Sequence, residues 1–254
     1  MRPAPPPTRR TPLALHLLAT VAALAGAAVA LAAHALPAVT ASLPVRQRFA
    51  PRLSGLGDQT RVALTIDDGP HPVATPRFLD LLARERVQAT FFLLGQELVR
   101  YPELGKEIVA AGHEIAVHGW THRMLLLRGP ISTRADITRA HEHIAEVTGV
   151  TPRWYRPPYG VLSTAAALTA RELGLTPVLW TTWGRDWEKR ANPDYVYETV
   201  VKGLHGGGTV LLHDSDCTSV PGSWAATLGA LPRILAECDH RGLKVGPLRS
   251  HQVS

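Results

Sequence analysis

Residues 61–70 read Arg-Val-Ala-Leu-Thr-Ile-Asp-Asp-Gly-Pro. The run Val62–Ile66 is rich in β-favouring residues, and two carboxylates, Asp67 and Asp68, follow it directly before a Gly-Pro breaker. The pattern spells a strand whose last residues carry charge. Two adjacent carboxylates after a strand can divide labour, one binding a cation and one acting as a base. In isolation an ordinary Asp-Gly-Pro turn reads the same way. The chain repeats the arrangement. Further β-rich runs lie at Ala89–Leu94, Glu114–His118, Arg153–Arg156, Pro177–Thr182, Thr209–His213 and Leu243–Val245. Between most of them fall helical stretches, at Thr75–Arg86, Pro102–Ala111, Ser132–Val147, Ser163–Leu173, Pro193–His205 and Ser223–His240. Ser132 and Ser163 stand where N-caps are expected, and Gly112, Gly149 and Gly174 where helices stop. Strands alternating with helices predict an α/β fold with a mostly parallel sheet and right-handed crossovers. About seven such units fit a small β/α barrel better than an open sheet.

Polar clusters close several of these strands, where β/α barrels carry their active sites. His118-Gly119-Trp120-Thr121-His122 places two imidazoles at i and i+4, which meet on one face of a helical turn and suit a shared metal. Arg156-Pro157-Pro158-Tyr159-Gly160 holds an arginine beside a backbone stiffened by two prolines. Trp183-Gly184-Arg185-Asp186-Trp187 is aromatic and suits a sugar-binding wall, and Leu211-Leu212-His213-Asp214 ends the next strand. Taken singly, each has a bland reading: unrelated histidines, a rigid loop, core tryptophans, a structural histidine. His141 and His143, two apart on a helix, face different directions and are read as solvated.

Together and in this order, the clusters resemble the five motifs of the NodB-type polysaccharide deacetylases, carbohydrate esterase family 4. The resemblance runs from Arg61 to Val245. It implies a distorted (β/α) barrel binding one divalent metal, zinc in the first place, with cobalt, nickel or manganese also compatible with a His/His/Asp set. By the same resemblance Asp68, His118 and His122 are the metal ligands, and Asp67 is the general base, oriented by Arg156. His213 is the general acid, oriented by Asp186. The Tyr159 N–H is an oxyanion donor, and Leu211 and Trp187 form the apolar wall around the acetyl methyl. Three positions depart from the family pattern: Ile66 for Phe, Gly119 for Ser or Thr, and Trp183 for Asp. The implied substrate is an N-acetylated polysaccharide, peptidoglycan or chitin-like. An O-acetyl xylan esterase using the same site is an alternative. A non-catalytic surface glycan-binding domain is another, although such a domain typically loses a ligand or the base.

The chain of 254 residues carries 27 Lys and Arg against 21 Asp and Glu. Arg2, Arg9, Arg10, Arg46, Arg48 and Arg52 all precede the first acidic residue, Asp58. Setting those six aside leaves 21 basic residues against 21 acidic ones, so the body is neutral and no nucleic-acid partner is expected. From Leu13 to Leu36 there is no charged residue. Residues 1–57 are therefore read as a basic segment, a transmembrane or signal helix over about 13–36 and a linker, with the deacetylase domain at 58–254. The length of the apolar run favours a membrane anchor over a signal peptide, although Ala33-His34-Ala35 and Val39-Thr40-Ala41 are compatible with cleavage. Either way the domain is expected to be extracytoplasmic. Cys217 and Cys238 are left open, as a disulfide or as two free thiols.

Overall fold

A computed structural model describes residues 13–253. Arg2, Arg9 and Arg10 of the basic segment lie outside the described residues. Strands β1 (Arg61–Asp67), β2 (Thr90–Leu94), β3 (Glu114–Gly119), β4 (Trp154–Tyr155), β5 (Thr176–Pro177), β6 (Thr182–Trp183), β7 (Thr209–His213) and β8 (Lys244–Gly246) form one sheet, and every pairing is parallel. The order is β5-β4-β3-β2-β1-β7-β6, with β8 beside the first half of β1. Crossover helices α3 (Ala74–Glu85), α5 (Pro102–Ala110), α6 (Pro130–Thr148), α7 (Thr164–Glu172), α8 (Pro193–Lys202) and α9 (Trp224–His240) connect the strands, and the sheet curls into the expected distorted barrel.

The period-two rule sorts β1 into two faces. Val62, Leu64 and Ile66 join the large buried cluster that includes Phe78, Leu82 and Phe91. Ala63 belongs to a separate, smaller cluster with Phe92, Ala116, Val178 and Leu248. Thr65 and Asp67 share that second face, and both bond to Arg156. Alternation alone therefore aims Asp67 at the barrel interior.

The expected strand Pro177–Thr182 is the main departure from the predicted pattern. It survives only as the two-residue strands β5 and β6, and between them Val178 N still donates to Tyr155 O and Thr181 N to Thr209 O while Leu179 and Trp180 leave the ladder. The cause is competition for carbonyls. Val178 O and Leu179 O accept from Arg156, and Trp180 O accepts from Arg46 at 2.7 Å. The expected strand Arg153–Arg156 likewise shrinks to β4, because Pro157 and Pro158 have no N–H to extend it. A short helix, α4 (Gly95–Arg100), was not predicted. Helix α6 starts at Pro130 rather than Ser132, whose hydroxyl donates to Gly129 O instead of capping. Ser163 does cap α7, accepting from Ala166 N at 3.2 Å. Both cysteines are free, Cys217 exposed and Cys238 buried, so the disulfide is not formed.

The N-terminal part begins with α1 (Leu13–Ala35), an uncharged helix of 23 residues. A 3-10 turn (Leu36–Ala41), helix α2 (Leu43–Phe49) and a second 3-10 turn (Pro51–Ser54) follow. This stretch runs along the interrupted ladder. Leu53 O accepts from Leu179 N at 2.7 Å, Gly55 O accepts from Thr209 Oγ1 at 2.7 Å, and Gly57 N donates to Gly207 O at 3.0 Å. Arg46 is fully buried among these bonds.

Candidate active site

Three donors converge at the carboxyl ends of β1 and β3. Asp68 follows β1 with φ 77°, a left-handed conformation that Asp tolerates better than most residues and that turns its carboxylate away from the direction of Asp67. Its Oδ1 lies 3.1 Å from His118 Nε2 and 3.3 Å from His122 Nε2. The ligand atoms of the three residues lie within 4.8 Å of one another. Asp68 Oδ1 is buried, and no hydrogen-bond donor is aligned on it. His118 Nδ1 lies 2.8 Å from Arg156 O, a carbonyl that can only accept, so Nδ1 carries a proton and Nε2 is the atom turned toward Asp68. Burial lowers His122 to about 4, against the opposing pull of Asp68, so its ring is neutral at pH 7. Burial would raise Asp68, but His118 and His122 outweigh it and hold the carboxyl well below the usual carboxylate range. A carboxylate with an orphaned oxygen, faced by the Nε2 atoms of two imidazoles, fits a divalent cation.

The two histidines do not share a helical turn, as the i, i+4 spacing suggests. His118 is in β3, and the chain from Trp120 to His122 bends. Their rings still lie 5.2 Å apart because of two local devices. Gly119 takes φ 136°, and Asp136 on α6 accepts from Trp120 N at 2.8 Å and from Thr121 Oγ1 at 3.0 Å. A side chain at 119 would be strained at that φ and would stand 3.0 Å from Asp136 Oδ1, which accounts for glycine here. Asp136 is a positioning residue that the sequence reading missed. Nothing local in the sequence marks it; it is buried on α6 with Thr133, Ile137, Ala140 and Ile144.

Asp67 is held from behind. The fully buried Arg156 donates NH1 to Asp67 Oδ1 at 2.7 Å and to Thr65 Oγ1 at 2.8 Å. Its other nitrogens donate to Val178 O and Leu179 O, so the guanidinium has no freedom to leave. Across the barrel, Asp186 Oδ1 accepts from His213 Nδ1 at 2.7 Å. Asp186 Oδ2 accepts from the His213 backbone N at 2.8 Å and from Thr227 Oγ1. Burial disfavours the His213 imidazolium, but the charge and hydrogen bond of Asp186, with Asp68 and Asp67 beyond, more than offset it and raise His213 to about 10.

Asp67, Asp68, His118, His122, Tyr159, Asp186, Trp187, Leu211 and His213 all line one cavity of about 350 Å³, with Arg156 behind its wall. Tyr159 sits at φ 61° with its ring 4.5 Å from that of His122. Trp187 lies edge-on to His213 at 5.4 Å, and Trp180, Trp183 and Trp187 form a row with centroids 5.4 and 6.3 Å apart. The cavity also takes in Trp180, Trp224, Ala41 and hydroxyls of the loop at 215–223, none of which the sequence reading placed there. The loop had one readable signal, a run of small polar residues directly after a strand that ends in His-Asp.

Residues 55–178 match the polysaccharide deacetylase family. The chain is 35% identical over 195 residues to a chitooligosaccharide deacetylase of Bradyrhizobium sp. (strain ANU 289), an alignment covering 74% of this chain and 88% of that one. The chain belongs to the polysaccharide deacetylases, carbohydrate esterase family 4. Among solved structures, a peptidoglycan N-acetylglucosamine deacetylase bound to a naphthyl N-hydroxybenzamide superposes with a TM-score of 0.73 at 30% identity, covering 79% of this chain and 91% of that one. A family pseudoenzyme from Bacillus anthracis superposes with a TM-score of 0.69 at 28% identity, covering 76% and 65%. Deacetylases of this family depend on a metal, and Asp68, His118 and His122 form the candidate site for it here.

Proposed function

We propose that this chain hydrolyses the acetamide of N-acetylglucosamine units in a cell-envelope glycan, peptidoglycan or chitin-like, with zinc held by Asp68, His118 and His122. One observation carries the reading. A base and an acid, each fixed by its own buried partner, line the cavity that contains the Asp/His/His cluster. The fold alone does not suffice, since a pseudoenzyme shares it. Residues 58–254 carry the catalytic groups, residues 36–57 complete the wall, and the uncharged α1, about 35 Å long at ~1.5 Å per residue, anchors the domain at a membrane, outside the cytoplasm.

A bound divalent ion would supply Lewis-acid polarisation of the acetyl carbonyl and acidify the attacking water. Asp67, held in place by Arg156, takes the proton from that water as it adds to the carbonyl carbon. The Tyr159 N–H donates to the carbonyl oxygen as negative charge grows on it. Leu211 and Trp187 enclose the methyl group, and the tryptophan row faces the sugar. His213, protonated and held by Asp186, delivers a proton to the nitrogen as the C–N bond breaks. Acetate and a free amino sugar leave.

Acetate release from chitin oligomers and from peptidoglycan tests the reading. Activity is expected to disappear with a chelator and to return with zinc. No acetate from either substrate, using folded and metal-replete protein, refutes it. Acetate from acetyl-xylan alone assigns the site to ester hydrolysis instead.

Asp186→Asn tests the acid. Asp186 raises His213, so removing its charge lowers His213, and the protonated form is then lost at lower pH. The descending basic limb of the rate profile is expected to move down by at least about one pH unit. A limb that stays in place shows that His213 is not the acid Asp186 supports.

A further inference from the structure

We propose that the mouth of this active site faces the membrane that holds α1, and that the N-acetyl sugar it takes is carried on a lipid in that membrane. The proposal rests on the reading of α1 as an anchor and of the cavity as a deacetylase site. It starts from where α1 ends. His34 Nε2 lies 3.2 Å from Leu126 O, and Thr164 Oγ1 donates to Ala33 O at 2.6 Å. Leu126 follows β3, which carries His118, and the bend that carries His122, and Thr164 opens the helix after the Arg156–Gly160 loop. Both belong to the side of the barrel where the strands end and the cavity opens. The membrane helix therefore leaves from the catalytic face, not from the opposite one.

The connection is short and has no slack. The six residues Leu36–Ala41 form a 3-10 turn, about 12 Å at ~2.0 Å per residue, and Ala41 itself lines the cavity. Immediately beyond, the buried Arg46 donates to Ala41 O at 2.8 Å and to Trp180 O at 2.7 Å, which pins the turn to the barrel wall. The cavity wall thus stands within roughly 20 Å of the end of α1 even if the turn were drawn out straight. The surface beside the exit is apolar. Leu127 and Ile131 are 84% and 88% exposed, and Leu36 and Val39 are exposed with them. Apolar side chains flanking a membrane helix gain free energy on leaving water. Arg123, exposed in the same loop, suits anionic headgroups. A mouth held this close to the bilayer meets sugars at its surface before it meets polymer strands farther out.

The experiment reconstitutes the full chain into vesicles containing anionic lipid. Acetate release is compared for a free chitotetraose and for the same tetrasaccharide joined to a lipid tail in the same vesicles. At equal bulk sugar concentration the lipid-carried form is expected to react at least 10-fold faster. Two variants separate orientation from simple enrichment of substrate in the bilayer: Leu127→Glu with Ile131→Glu, and a ten-residue Gly-Ser insertion after Ala35. Each is expected to cut the preference at least 5-fold and leave turnover of free chitotetraose unchanged. Equal rates on the two substrates, or a preference that neither variant moves, overturns the proposal. Silence on both substrates shows that the deacetylase reading has failed, and release of the chain from vesicles by alkaline carbonate shows that the anchor reading has failed. Either result takes this proposal with it.

Discussion

Replacing Asp67 by Asn is expected to lower acetate release by about 10³-fold, within the range that a positioned general base contributes. The substitution keeps size, and the amide oxygen it introduces can still accept from Arg156 NH1, so the barrel interior is only mildly disturbed. It removes the carboxylate proposed as the base. Asp68, His118 and His122 are untouched, so zinc affinity measured by competition with a chromogenic chelator should stay within a few-fold of the parent. That combination of bound metal and lost turnover separates a base from a ligand. If D67N turns over within 10-fold of the parent, the base lies elsewhere. If it loses zinc, Asp67 belongs to the ligand set.

The second large effect is on stability. Arg156→Met leaves Asp67 as a buried carboxylate without its cation, and strips Val178 O and Leu179 O of their donors. Breaking a buried ion pair by removing one partner costs about 3–5 kcal/mol, and each orphaned carbonyl adds to it. Phe92 also loses the guanidinium 4.1 Å above its ring. Urea denaturation should show an unfolding free energy lowered by at least about 3 kcal/mol, with activity lost in whatever fraction stays folded. Arg156→Lys should recover little, because a single ammonium cannot span three directions at once. An unfolding free energy for R156M within about 1 kcal/mol of the parent contradicts the view that this arginine closes the barrel wall.

The two predictions differ in how much of their basis is readable along the chain. That Asp67 faces the interior follows from alternation in Arg61–Asp67, and the residue needs no partner outside that strand to be found. The importance of Arg156 to the wall at 178–181 is not readable locally. Val178, Leu179 and Trp180 look like strand residues in every respect, and what interrupts the ladder here is distant: two arginines at their carbonyls and Leu53 O at Leu179 N. Asp136 is similar. It sits in the middle of α6, and its two bonds to the bend at Trp120 and Thr121 span 16 and 15 positions.

The amino-acid sequence by itself determined the parallel α/β barrel, the family and the residue types at the strand ends. These depend on signals of short range: period-two alternation, caps such as Ser163, and clusters that fall within a few residues of a strand's last position. Only the tertiary structure decided which donors share a cation-sized space, how His118 and His122 approach without a helix, and that residues 36–55 form part of the wall and reach the cavity at Ala41. The physical reason is sequence separation. The bond from Arg46 to Trp180 O joins positions 134 apart, and the one from Thr209 to Gly55 O joins positions 154 apart. No local pattern encodes which of many equivalent buried carbonyls a distant donor will reach, because that choice is made when the barrel closes and leaves one of them within hydrogen-bonding distance.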